Sequence, residues 1–254
     1  MSSIDRRRVL RLLAAGGSAA LLAGCDRAAG NAGVRKLLAL ADRPTEAALQ
    51  ALTPDDALAK EFEESQISPV FRANGSINPQ TPEYLSLLRS GFANYRLRIG
   101  GLVERPLALD LAALRAMPSR TQITRHDCVE GWSCIGKWKG VPMARVLDLA
   151  RPRPEARYLV FRCADSLGGD DERYYESIHL SEARHPQSLL AYDMNDAPLT
   201  VPHGAPLRAR LERKLGYKMA KYLLGLDLVA SLDGLGRGQG GYWEDRGYQW
   251  HGGI

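Results

Sequence analysis

The periodic segments of this chain are short, and prolines and glycines interrupt them throughout, which restricts it to brief helices and strands joined by ordered loop. No run reaches 18 apolar residues, below the roughly 20 that an ordinary spanning helix needs. In residues 95–117, YRLRIGGLVERPLALDLAALRAM, Arg96 and Arg98 alternate with Leu97 and Ile99. That alternation predicts a half-buried strand, followed by a turn and a short helix. VPMARVLDLA (141–150) has helical spacing, YLVF (158–161) reads as a buried strand, and Asn195–Asp196 in MNDAPL suits a hairpin bend. KMAKYLLGLDLVA (218–230) ends the domain. SPVFRANGSINPQTPEY (68–84), with three prolines, reads as loop. Thr53, Pro54 and the acids after them are a helix start, so 53–65 is expected to be helical. No internal repeat is present, and the expectation is a single catalytic domain of the α+β class.

The first residues are export-signal architecture rather than fold. Arg6, Arg7, Arg8 and Arg11 precede a short apolar stretch, Leu12 to Gly24. The consecutive arginines resemble a twin-arginine signal, and Leu22–Cys25 (LAGC) resembles a lipoprotein cleavage box with Cys25 as the acylated residue. The expected division is therefore a signal at 1–24, a tether with one or two helices at 25–67, and the catalytic domain at 68–254. The formal charge of +5 belongs mostly to the signal; without it 30 basic and 28 acidic residues remain. Nothing in that balance suggests a nucleic-acid partner. The twin-arginine route carries proteins already folded, which hints at a cofactor inserted before export. Asp26 after Cys25 resembles the signal that retains lipoproteins at the inner membrane.

Residues 124–143, TRHDCVEGWSCIGKWKGVPM, concentrate the reactive groups. With Cys25 acylated, Cys128, Cys134 and Cys163 remain. From the residues alone, Cys128 is half of a disulfide with Cys134, a small buried apolar residue, or a thiolate holding a metal. No CxxC, HExxH, GxSxG elbow, Walker loop or strand-borne GxGxxG is present. VPHGAPLR places Gly204 where backbone can approach a ligand and Arg208 where a guanidinium can grip a phosphate. Lys218 and Lys221, three residues apart after Gly216, read either as a solvated helix face or as an anion cradle.

In order, HDCVEGWSCIGKWKGVPM, YLVFRCADS, LAYDMNDAPLTVPHGAPLR and GYKMAKYL resemble the molybdenum-cofactor domain of the sulfite oxidase family, over about residues 68–254. The resemblance implies a mixed α+β fold around one molybdopterin with molybdenum. It implies that Cys128 ligates the metal and that Asn74, Cys163, His203, Arg208, Lys218, Met219, Ala220 and Lys221 hold the cofactor. Tyr192 is implied as a catalytic residue at the metal's substrate face, and Arg72 and Trp132 as walls of the substrate pocket. Backbone groups of Val129 and Glu130 are candidates to tune the sulfur.

The residues after Cys128 are closer to the C-V-E-x-W-S of periplasmic methionine sulfoxide reductase catalytic subunits than to the arginine-bearing segment of sulfite oxidases. An aromatic pocket suits an uncharged sulfoxide, whereas sulfite calls for a positive one. The expectation is a periplasmic, lipid-anchored, monomeric oxidoreductase that moves an oxygen atom to or from a small substrate such as a sulfoxide. It would exchange electrons with a membrane haem, quinone-linked or cytochrome partner. The alternatives are a sulfite-oxidising dehydrogenase and a non-catalytic lipoprotein that retains the fold. In the glycine-rich C-terminal segment, Tyr242, Trp243, Tyr248 and Trp250 are too apolar for a solvated tail. That segment is expected to fold over the domain and shape the substrate entrance.

Overall fold

The computed structural model of the chain describes Asn31, Gly33, Val34, Pro54 and residues 56–254 apart from 168–171. The export signal and Cys25 lie outside the described residues. The chain divides into two compact units, Met1–Pro54 and Asp55–Ile254. In the first, Asn31 Oδ1 accepts from the Gly33 amide at 2.8 Å. The second carries everything below.

Two five-stranded sheets form it. One, in the order β2-β1-β10-β5-β6, is built from β1 (Leu97–Gly101), β2 (Leu107–Leu109), β5 (Tyr158–Ser166), β6 (Arg173–His179) and β10 (Leu223–Val229). Its β1–β10 pair is parallel and its other pairs antiparallel, so the sheet is mixed. The other runs β3 (Arg120–Cys128), β4 (Trp132–Pro142), β7 (Leu189–Met194) and β8 (Ala197–Pro198), with β9 (Arg208–Arg210) also on β7. The α+β expectation holds.

Local sequence explains most elements. Leu97 and Ile99 are buried and Arg96 and Arg98 exposed, as the alternation requires. The helix Met143–Ala150 buries Met143, Val146, Leu147 and Ala150, an i, i+3, i+4, i+7 stripe. Those side chains join Leu97, Phe161, Leu190 and Leu226 in the main core, each larger one contributing about 1.5–3 kcal/mol through burial. Asn195 and Asp196 turn the β7–β8 hairpin with φ of 49° and 63°, the left-handed pair that a tight hairpin needs.

Two expectations fail in instructive ways. Residues 57–63 are not helical. Glu61 instead bridges to Thr124 on the β3 edge, and the Phe62 amide donates to the Ile123 carbonyl at 2.9 Å. Gln187 fixes the segment by accepting from the Ala59 amide at 2.7 Å and donating to its carbonyl at 3.0 Å. Tertiary hydrogen bonds override a local helix start. The helix Pro82–Arg89 lies partly in the stretch read as loop, with Thr81 Oγ1 capping Tyr84 N at 3.4 Å. Its opening, Thr-Pro followed by an acid, is the signature seen at Thr53.

Candidate functional site

β3 ends at Cys128, which pairs with Trp132 across a turn of Val129, Glu130 and Gly131. Gly131 has φ 84°, the conformation that lets this turn close. Cys128 is 9% exposed, and the amides of Glu130 and Val129 donate to its sulfur. Burial pushes its thiol up; Glu130 adds to this, while the amides and Arg72 oppose it. A bound cation at the sulfur would reverse that shift and hold the thiolate. Cys134 lies opposite His126, its thiol directed at the Val70 carbonyl at 3.8 Å, and Cys128, Cys134 and Cys163 are all free.

Cys128 opens into a cleft of about 640 Å³, a figure that includes space open to solvent. Asn74, Asp165, Met219 and Lys221 line it on one side; Tyr174, Tyr217, Trp243 and Tyr248 add rings. The loop 70–76, the Gly216–Lys218 turn and the C-terminal segment thus converge on one sulfur. Gly216 allows the approach: a Cβ there would come 2.5 Å from His126 Nε2.

His203, Arg208 and Lys221 form a basic end. Lys221 Nζ donates to the carbonyls of Ser76 and, at 2.9 Å, Pro202. Arg208 Nη1 donates to the His203 carbonyl at 3.0 Å. Arg208 Nε and Nη2, His203 Nδ1, His126 Nε2 and Asn74 Oδ1 are buried without a hydrogen-bond partner. Arg210 donates to His126 Nδ1 at 3.0 Å, so that nitrogen accepts and Nε2 carries the proton. Burial, reinforced by Arg210, lowers Arg208 to about 9. Burial, then Arg208, lowers Lys221 to about 7, and His203 is lowered by burial, Arg208 and Lys221. Mutually repelling cations with unmet buried donors match an anionic, phosphate-bearing ligand.

The expected residues do not all gather here. Asn74, Cys128, Met219 and Lys221 line the cleft, and His203 and Arg208 join them through Lys221. Arg72 stands 5.2 Å over the Trp132 ring beside the Cys128 turn, and both are held by Glu130: Arg72 at 3.8 Å and Trp132 Nε1–H at 2.9 Å. Neither is part of the cleft lining, although Glu130 is. Four other expected residues do not line the cleft. The Lys218 ammonium is turned away from it, buried between Glu176 Oε1 at 2.5 Å and Glu244 Oε1 at 2.6 Å. Cys163 is in the main core, and the lining residue on that strand is Asp165. Ala220 is also a core residue, its amide bonded to the Lys218 carbonyl at 3.1 Å. Tyr192 is buried in the same core with Arg115 4.3 Å over its ring.

Asp165 was not foreseen as a site residue. Burial raises its carboxyl despite a 2.6 Å hydrogen bond from Ser76 and the nearby Lys221 charge, and Oδ1 has no partner. The signal was a buried acid at the end of the largely apolar strand YLVFRCADS. The C-terminal segment folds over the domain as expected, with Trp243 and Tyr248 in the cleft wall.

Residues 85–232, more than half of the chain, match the family described as the oxidoreductase molybdopterin binding domain. The chain belongs to this family. Its cofactor is molybdopterin with molybdenum, and the sulfite oxidase-type reading of the fold stands. The molybdopterin-binding chain is 43% identical over 161 residues to a putative protein-methionine-sulfoxide reductase subunit YedZ1 of Azospira oryzae, covering 63% of this chain and 56% of that one. It is 31% identical over 146 residues to the protein-methionine-sulfoxide reductase catalytic subunit MsrP of Campylobacter jejuni, covering 54% and 49%. The MsrP of Xanthomonas axonopodis pv. citri is 34% identical over 147 residues, covering 54% and 46%. The chain thus spans about half the length of the curated relatives it matches. The solved structure of the sulfane dehydrogenase SoxCD from Paracoccus pantotrophus superposes with a TM-score of 0.50 at 24% identity, covering 54% of this chain and 39% of that one. That likeness is one of fold. Among the described residues no helix is long and apolar enough to cross a membrane.

Proposed function

We propose that this molybdopterin domain reduces small sulfoxides to sulfides: R2SO + 2 H⁺ + 2 e⁻ → R2S + H2O. The observation that carries the reading is Cys128 in one cleft with Asn74 and Lys221, Lys221 standing beside His203 and Arg208, whose buried donors are unpaired. Molybdopterin bound there supplies a metal that changes oxidation state by two electrons and accepts or gives up oxygen. Cys128 would ligate that metal. His203, Arg208 and Lys221 would hold the anionic end of the pterin, and Asn74, with Met219, its flank. The amides of Val129 and Glu130 would draw electron density from the sulfur and so tune the metal.

The substrate side of the cleft favours an uncharged molecule. Arg72, the cation beside Cys128, is already answered by Glu130 at 3.8 Å, which weakens its use for sulfite. Tyr174, Tyr217, Trp243 and Tyr248 present apolar faces instead. The two electrons come from a membrane haem, quinone-linked or cytochrome donor. Export by the twin-arginine route and a lipid at Cys25 would hold the single chain on the periplasmic side of the inner membrane. The supporting observation is the sequence of residues 6–25.

The test is metal analysis and turnover of protein made in a cofactor-competent host. About one molybdenum per chain and sulfoxide reduction with an artificial electron donor are expected. Metal-loaded protein that oxidises sulfite and leaves sulfoxides untouched overturns the assignment.

A further inference from the structure

We propose that Trp243 and Tyr248 are specificity-determining residues that bind the alkyl–sulfur flanks of the substrate. The proposal rests on the sulfoxide reading above and adds to it the residues that select the substrate. Both rings come from the C-terminal segment beyond residue 232, where the family match ends, and both line the cleft that holds Cys128.

The segment is built to present these two rings. Glu244 is tied into the core by Lys218, whose buried ammonium also holds Glu176. Asp245 accepts from the amides of Arg237 at 2.8 Å and Gln239 at 3.0 Å. Tyr242 is 3% exposed, with Arg246 3.6 Å over its ring. Its neighbours on the cleft side keep free surface: Trp243 is half-buried and Tyr248 is 38% exposed. They stack on each other at 5.2 Å and 25°, and Tyr217 braces Tyr248 edge-on at 5.2 Å. The result is a stacked and braced aromatic pair in the wall of the cleft that holds the reactive sulfur.

The chemistry of that wall selects its ligand. Aromatic rings attract polarizable sulfur and the methyl or methylene groups beside it. They give nothing to a small oxyanion, whose charge meets the negative face of the ring. A sulfoxide with apolar flanks gains from the wall in proportion to the flank it buries, and dimethyl sulfoxide, with the smallest flanks, gains least.

The experiment is steady-state kinetics of molybdenum-loaded Trp243→Ala, Tyr248→Ala, Trp243→Phe and Tyr248→Phe enzymes on N-acetylmethionine sulfoxide and dimethyl sulfoxide. For N-acetylmethionine sulfoxide each Ala variant should raise KM about tenfold, the scale of a lost apolar contact in a binding pocket. kcat should change much less, dimethyl sulfoxide should be affected less, and the Phe variants should restore KM. Tyr248 is the safer variant because its ring is partly solvated; if Trp243→Ala fails to load metal, Tyr248→Ala decides. Ala variants with unchanged KM on a wild-type enzyme that turns over both sulfoxides overturn the wall and leave the sulfoxide reading intact. Wild-type enzyme that carries molybdenum and reduces neither sulfoxide overturns both.

Discussion

Arg208 donates a single hydrogen bond, from Nη1 to the carbonyl of His203 at 3.0 Å, and keeps Nε and Nη2 buried and unpaired. A guanidinium with no exposure is costly to leave in this condition unless a ligand completes it. Arg208→Lys keeps the charge and loses the fork. The variant should fold and lose most of its molybdenum, on the order of tenfold or more at limiting cofactor, by metal analysis of purified protein.

The same basic end makes the cofactor-free protein sensitive to pH. Lys221 titrates at about 7 in the fold against 10.5 in the unfolded chain. Between those values the unfolded chain holds the proton more tightly, so this contribution to stability is full above 10.5 and is lost as pH falls toward 7. The slope should approach about 1.4 kcal/mol per pH unit. Denaturant unfolding of cofactor-free protein from pH 9 to 7 reads this directly. Lys221→Met should flatten the profile, and added inorganic phosphate should flatten it by restoring an anion.

Cys128→Ser should leave the fold unchanged and abolish molybdenum binding and turnover. Cys134→Ser should leave both unchanged, because its thiol reaches only the Val70 carbonyl. Loss of metal from both variants would instead indicate that the two sulfurs act together.

Glu130 neutralises Arg72 at the mouth of the site. Glu130→Gln should free that charge and strengthen sulfite as an inhibitor by about two- to fivefold, the range of an exposed ion pair. Inhibition curves at low and high salt should show the gain fading as ionic strength rises.

Lys218 is the bolt between the C-terminal segment and the sheet. Lys218→Met leaves Glu176 and Glu244 facing each other in the core and should cost about 3–5 kcal/mol, measured by denaturant unfolding. In the wild type, burial raises Glu176 above its usual 4.5; Lys218 opposes this and Glu244 reinforces it. The fold therefore holds that proton more tightly, and this contribution declines as pH rises from 4.5 through the raised value. The segment should then loosen as pH rises above 4.5, seen as faster cleavage by protease near Trp243.

What the sequence disclosed depended on how local its causes were. The helix Met143–Ala150 and the β7–β8 turn follow from spacing and turn chemistry within a few residues. Cys128 and the His203–Arg208 segment were left open by the residues alone and pointed to only by the family resemblance of their surrounding segments. Lys218 was misread because its partners lie on β6 and on the C-terminal segment. Its three-residue spacing from Lys221 looks like one helix face, yet the 3-10 turn at Gly216–Lys218 sends the two ammonium groups to different neighbours. On β7, burial pattern BBBBiB offers no alternation by which to orient Tyr192. On β5, the register slips between Arg162 and Ser166, so counting along the strand could not tell Cys163 from Asp165 as the residue facing the cleft.

The clasp of Gln187 on Ala59 has a consequence for neighbours rather than for catalysis. A bare strand margin is an invitation to a second copy of the same chain, and here β3 receives its own upstream segment at Glu61 and Phe62. Crowded together, such molecules would meet with that seam already closed. Damage to Gln187 would then appear first as clumping, while each separate molecule still turned over its substrate.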